Sequence, residues 1–297
     1  MSTHRKIDRP AFLILGAMKC GTTSLAESLV RQTNVVFPCG KEPRILNREE
    51  KEYTDHIEGY ISKMIAADSD SLVGDASPQL TFRDDLAAQR ALELFGQDVR
   101  MVYIVRDPVA RAVSHFRHAW QAGWKMAPTA DEAFEVEPML KQVSSYQQQL
   151  SKWTELFDVS QILVIQFEDM IRDQEHWLKR VCEHIHADLR SEDLSLEHSN
   201  RADEQGKPIV PQPIWNTLQA VKRIQVLHSF ARSNFGVKLK GMLMKSSSPP
   251  KPSVQALETF AQSIQKDTTA FENDQGWDDA MRWDLMKTAQ RLGIDEQ

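Results

Sequence analysis

The stretch Gly16-Ala17-Met18-Lys19-Cys20-Gly21-Thr22-Thr23-Ser24 puts a lysine, two glycines and a run of hydroxyl side chains between an apolar run and a helical pattern. The N-terminus of a helix presents unbonded N–H groups and a partial positive charge. Glycine lets a backbone approach a ligand closely and adopt unusual dihedrals. Together these features hold an anion, and a lysine adds a full charge. A turn that only joins a strand to a helix needs neither the lysine nor the hydroxyls.

The glycine spacing is that of a nucleotide-triphosphate P-loop, G-x-x-x-x-G-K-[ST]. Thr22 nevertheless stands where that motif has its lysine, and Lys19 falls two residues before the second glycine. Thr23 remains where metal coordination would begin. The departure weakens an ATP- or GTP-hydrolysing reading without removing it.

A second segment, Arg106-Asp107-Pro108-Val109-Ala110-Arg111-Ala112-Val113-Ser114, follows the apolar run Arg100 to Val105. Arginine suits a phosphate because its fork donates two parallel hydrogen bonds. Ser114 lies about two helical turns beyond Arg106. On this segment alone, Arg106 paired with Asp107 or another carboxylate, and Ser114 as a neutral helix residue, is the better account.

The elements that must position these groups are legible from the apolar pattern. Ala11 to Leu15, Val35 to Phe37, Leu72 to Asp75, Arg100 to Val105 and Gln161 to Phe167 read as strands, rich in β-branched and aromatic residues. Thr22 to Arg31, Ile57 to Ala67, Asp84 to Phe95, Pro108 to Trp120, Met139 to Phe157 and Asp173 to Ile185 have helical spacing. Pro108 sits at an early helical position, where its missing N–H does no harm. Alternating strands and helices predict an α/β fold with a central parallel sheet in a three-layer arrangement. Beyond about residue 190 the chain is more polar and strand-poor. Lys245 to Ser253 reads as a loop, with helices expected over Val254 to Glu272 and Asp278 to Leu292. The expectation is a single domain over 1–297: a core at about 11–186, then a lid and a helical C-terminal extension at about 187–297.

The chain has 297 residues and a formal net charge of −6, against a general nucleic-acid partner. Cys20, Cys39 and Cys182 are odd in number and fit no zinc spacing, which speaks against a disulfide framework or a metal site. The polar start MSTHRKIDRP lacks the apolar stretch of a signal peptide, and no apolar run of about 18 residues suggests a membrane span. The expected location is cytoplasmic. Oligomeric state has no signature here.

Taken together, FLILGAMKCGTTSL and VYIVRDPVARAVSHF resemble the two nucleotide-binding segments of sulfotransferases that use 3′-phosphoadenosine 5′-phosphosulfate (PAPS). The resemblance is nearest to the bacterial and heparan-type branch, through Lys41-Glu42-Pro43, Gly74-Asp75-Ala76-Ser77-Pro78 and QILVIQFEDM, and it covers about residues 11 to 186. It implies a P-loop-like nucleotide-binding architecture and sulfuryl transfer by in-line displacement to a hydroxyl or amine of a carbohydrate or small-metabolite acceptor, with release of 3′-phosphoadenosine 5′-phosphate (PAP) and no metal. Lys19 would stabilise charge on the leaving group. Lys19, Cys20, Gly21, Thr22, Thr23 and Ser24 would cradle the phosphosulfate, and Arg106 and Ser114 would hold the 3′-phosphate. Glu42 is the first choice for the general base and Asp75 the second; the plain alternative is a surface Glu42 paired with Lys41 or Arg44.

The chain departs from that branch at three places. Ala76 stands where a lysine is common, Arg44-Ile45-Leu46 replaces aromatics, and the Lys-Gly-Arg loop found late in the family has only Gly206-Lys207 as a weak counterpart. His115 and His118 read as packing or surface residues, Trp120 and Trp124 as core or cleft wall, and Tyr146 and Trp153 as core. A P-loop-type kinase, and a PAPS-binding protein without turnover, remain as rival expectations.

Overall fold

The computed structural model describes residues 5–82, 86–124, 126–190 and 249–294. Five strands form one parallel sheet: β1 (Ala11–Gly16), β2 (Val35–Val36), β3 (Leu72–Asp75), β4 (Arg100–Val105) and β5 (Ile162–Gln166), in the order β2-β3-β1-β4-β5. The three strands nearest the middle are almost wholly buried, as a sheet covered on both faces requires. Leu13 pairs with Asp75 on one side of β1 and with Met101 of β4 on the other. Gly74 is glycine for a packing reason: a Cβ there would lie 2.6 Å from the Phe12 ring.

Helices cover the sheet: α1 (Thr22–Gln32), α2 (Glu50–Ala66), α3 (Leu86–Phe95), α4 (Pro108–Gln121), α5 (Ala130–Val136), α6 (Pro138–Gln142), α7 (Tyr146–Thr154), α8 (Phe167–Arg172) and α9 (Gln174–Ile185). After residue 248 come α10 (Val254–Asp274) and α11 (Leu285–Gly293). The α/β fold with a parallel sheet and helical C-terminal portion is thus present. No helix among the described residues is long and apolar enough to cross a membrane.

Three helical expectations need correction. The helix expected over Ile57 to Ala67 starts at Glu50. Met139 to Phe157 is not one helix, because α6 ends and α7 begins around Val143 to Ser145. There the Ser144 hydroxyl donates to Pro108 O at 3.0 Å and accepts from Arg111 Nε at 2.8 Å, so its polar group serves α4 and not a continuous helix. The last helix starts at Leu285 and not at Asp278. Asp278 accepts from Ala280 N and Met281 N in a turn, and Trp283 N is bonded to Glu272 Oε1 at 2.9 Å.

Apolar residues gather in two clusters. The larger surrounds the sheet. The smaller lies between α4, α5, α10 and α11, with Val113, Phe116, Phe134, Phe260 and Leu285 at its centre.

Candidate nucleotide-binding and transfer site

In an open parallel sheet, ligands gather beyond the carboxyl ends of the strands where the strand order reverses. Here that point lies between β1 and β4, and each strand delivers a cation there. Lys19 follows β1, Arg106 follows β4, and Arg106 Nη1 lies 3.5 Å from Lys19 O. Both line a cleft of about 1330 Å³, together with Gly21, Thr22, Thr23, Ser24, Glu42 and Ser114.

The loop after β1 is built to face this cleft. Lys19 has φ 71 and Gly21 φ 87, both left-handed, a region non-glycine residues seldom adopt. A Cβ on Gly21 would lie 2.8 Å from the Phe167 ring, so only glycine fits between the start of α1 and that ring. Gly21 takes the N-cap position of α1 without a side-chain cap, and no acidic residue lies in the first turn. The helix therefore offers its N–H groups to an outside anion.

Charge in the cleft is one-sided at this end. Burial lowers the Lys19 pKa, and the nearby Arg106 lowers it further. Two cations held side by side are the surroundings an anionic group would relieve. The residues present thus fit a ligand carrying phosphate- or sulfate-type groups.

The corner after β4 is held from several directions. Tyr146 Oη donates to Arg106 O at 2.8 Å and accepts from Arg106 N at 3.3 Å. Asp107 Oδ1 caps α4 by accepting from Val109 N and Ala110 N, and Asp107 N donates to Glu168 Oε1. The Arg106 guanidinium lies 4.9 Å from the centre of the Phe167 ring. Arg106 is thus not consumed by a pair with Asp107, which spends its carboxylate on the helix cap and on Thr288 Oγ1.

Glu42 lines the same cleft. Its Oε1 accepts from Lys41 Nζ at 2.5 Å and its Oε2 from Arg44 Nη2 at 2.9 Å. Burial pushes its carboxyl up, but the bonds from Lys41 and Arg44 outweigh that and hold it below the usual carboxylate range. Arg44 has φ 55, a second left-handed non-glycine residue on the same cleft. Glu42 is therefore paired with both neighbours and lines the cleft at the same time.

Asp75 is elsewhere. It is fully buried at the end of β3, accepting from Tyr60 Oη and Ser77 N, each at 3.0 Å. Burial pushes its carboxyl up to about 6. It stands behind the cleft and does not line it. Cys20 also faces inward: its thiol is buried 3.8 Å from Tyr146 Oη, and its N–H donates to Ala17 O. The structure thus gathers Lys19, Gly21, Thr22, Thr23, Ser24, Glu42, Arg106 and Ser114 in one cleft, and leaves the Cys20 and Asp75 side chains out of it.

The remaining sequence readings sort as follows. His115 packs against Arg111 Nη1 at 3.1 Å, and burial with the neighbouring Arg111 charge pushes its pKa down to about 3. His118 lines the cleft edge-on to Trp124, with ring centres 5.6 Å apart. Trp120 belongs to the α4 cluster, and Tyr146 and Trp153 are core. Gly206-Lys207 and most of the expected lid lie outside the described residues.

Some cleft-lining residues carried no signal in the sequence reading. Phe167, from the familiar stretch QILVIQFEDM, walls the cleft beside Gly21 and Arg106. Trp124, read as core or cleft wall, lines the cleft and is 45% exposed. A smaller recess of about 390 Å³ shares Arg106 and Phe167 with the cleft and is edged by Lys287 and Arg291 of α11. Nothing local in the C-terminal sequence marks α11 as a neighbour of Arg106, because the contact is made by tertiary docking.

Comparison with known proteins agrees with this architecture. The family model described as sulfotransferase domain matches residues 9–216. A membrane-associated sulfotransferase of Dictyostelium discoideum is 28% identical over 125 residues, which is 40% of this chain and 25% of that protein, so the chain spans about a quarter of the relative's length. The solved structure of a sulfotransferase from Alicyclobacillus acidocaldarius superposes with a TM-score of 0.63 at 18% identity, covering 92% of this chain and 98% of that one. A mouse sulfotransferase complexed with PAP gives a TM-score of 0.40 at 19% identity over 61% of this chain and 59% of its own.

Proposed function

This chain belongs to the sulfotransferase domain family, and on that premise we propose that it transfers a sulfuryl group from PAPS to a hydroxyl or amine of a carbohydrate or small-metabolite acceptor. The observation that carries the reading is the meeting of Lys19 and Arg106 at the β1–β4 switch point, in one cleft with Glu42. PAPS supplies an activated sulfuryl group and carries phosphates at both the 3′ and 5′ positions. The N-terminus of α1, Lys19 and the hydroxyls of Thr22, Thr23 and Ser24 bind the phosphosulfate end. Arg106 and Ser114 bind the 3′-phosphate.

Each group then has a chemical task. Lys19 presents its ammonium to the oxygen on which negative charge builds as the bond to sulfur breaks. Glu42, ionised at neutral pH, accepts the acceptor proton as its oxygen or nitrogen attacks. Phe167 closes one wall of the cleft and keeps water from the Arg106 side. Fixed cations do the charge work, so the reading requires no metal.

The test is thermal stability of the protein with PAP, with ADP and with Mg-ATP. A ligand that binds only the folded state raises the apparent stability. Selective stabilisation by PAP supports the reading. Stabilisation by Mg-ATP alone overturns it in favour of a kinase.

A further inference from the structure

Lys41 joins Glu42 to the loop after β1. Its Nζ donates to Thr23 Oγ1 of the phosphosulfate loop at 2.9 Å and to Glu42 Oε1 at 2.5 Å. Its carbonyl accepts from Ala76 N at 3.0 Å, so its backbone is fixed to the residue where a lysine is common in the resembling branch. The side chain is about three-quarters covered, with 24% exposure. It does not itself line the cleft, whereas Thr23 and Glu42 both do.

We propose that Lys41 is the positioning residue that fixes the Glu42 carboxylate to the phosphosulfate loop. This rests on the reading of Glu42 as the base. The groups facing Glu42 make the argument specific. Lys41 and Arg44 bond to its two oxygens, Lys19 adds a more distant positive charge, and Asp75 adds a buried negative one. Of the cations, Lys41 alone joins Glu42 to the loop by direct hydrogen bonds. Arg44 is largely solvent-exposed, with 56% side-chain exposure, so its pair is weakened by water and salt.

The consequence for the reaction is a matter of charge balance. As the acceptor oxygen forms its bond to sulfur, its proton passes to Glu42, and the electron pair of the breaking S–O bond goes to the 5′-phosphate of the departing PAP. Glu42 becomes neutral and its hold on the Lys41 ammonium falls. At the same moment negative charge builds beside Thr23, where Lys41 is already bonded. The Lys41 bond to Thr23 Oγ1 is the contact that remains.

The experiment is an NMR titration of the full chain labelled with carboxyl-13C glutamate, the Glu42 signal being identified by its loss in Glu42→Gln. Lys41→Met should raise the Glu42 titration midpoint, since a lowering partner is removed. Lys41→Arg should leave it near that of the parent, because the fork can replace both bonds. PAP affinity should be similar in all three proteins. A Glu42 midpoint in Lys41→Met equal to the parent overturns the proposal, as does an equal upward shift in Lys41→Arg and Lys41→Met. The base reading fails separately: PAP release from PAPS, with water as the probe acceptor, would proceed undiminished in Glu42→Gln.

Discussion

Thr288 Oγ1 donates a 2.7 Å hydrogen bond to Asp107 Oδ2, joining α11 to the residue after Arg106 across 181 positions of the chain. The same carboxylate caps α4 through its other oxygen. The C-terminal helix thereby holds the turn that aims Arg106 into the cleft.

Thr288→Val removes that donor and leaves a carboxylate oxygen facing a methyl group. A lost hydrogen bond to a buried charged group costs about 1–3 kcal/mol. The variant should lose stability of that order in chemical denaturation and bind PAP more weakly by calorimetry, and Thr288→Ser should recover both. Parent-like PAP affinity in Thr288→Val would show that α11 does not set the Arg106 corner.

Lys19 and Arg106 should separate by kinetics. Arg106→Ala should mainly weaken PAP binding, by about tenfold or more for a lost charge-assisted contact. Lys19→Ala should keep much of the PAP affinity and lose turnover by about 10²–10³-fold, the size seen when one donor to a developing charge is removed. Binding by calorimetry beside PAPS consumption separates the two. Equal PAP affinity in Arg106→Ala and the parent would defeat the 3′-phosphate assignment.

Asp75 sets a pH dependence of stability. Its carboxyl, pushed up mainly by burial, titrates near 6 in the folded protein against an ordinary 3.8. The folded state therefore holds this proton more tightly than the unfolded chain. Its contribution is fully present below pH 3.8 and is lost as the pH rises through about 6. Between those values the parent should lose stability relative to Asp75→Asn, read from paired denaturation curves. Parallel curves would mean that Asp75 is ionised throughout.

Gly21→Ala should be costly for two reasons at once. The residue has φ 87, and the new Cβ would lie 2.8 Å from the Phe167 ring and 3.1 Å from the Met170 methyl. The loop or the ring must move, so both stability and PAP affinity should fall. Pairing it with Phe167→Ala should return part of the stability lost to the clash, which a double-mutant cycle measures.

Much of this was legible in the chain because the signals are local. The run AFLILG before a glycine loop and RMVYIV before Arg-Asp-Pro announced β1, β4 and the two loops they carry. What was not legible depends on side chains meeting over long separations. The pattern over Met139 to Phe157 is continuously helical, and only the Ser144 contacts to Pro108 and Arg111 show why the helix breaks. Cys20 sits inside the anion-loop motif, yet the left-handed residues flanking it turn its thiol into the core. Asp75 and Glu42 are both carboxylates in motif-like settings. Only burial against Tyr60 distinguishes the enclosed one from the one on the cleft.

Helix α4 presents Ser114 to the cleft and closes the second apolar cluster with α5, α10 and α11. Ligand occupancy and the cohesion of the C-terminal helices are thus two readings of one equilibrium. If nucleotide binds at Ser114 as proposed, its binding should slow hydrogen exchange in the amides of α10 and α11. Conversely, a cavity opened at Phe260 or Leu285 should loosen the helix that presents Ser114 to the cleft. The C-terminal portion acts as a buttress, and its stiffness enters the dissociation constant.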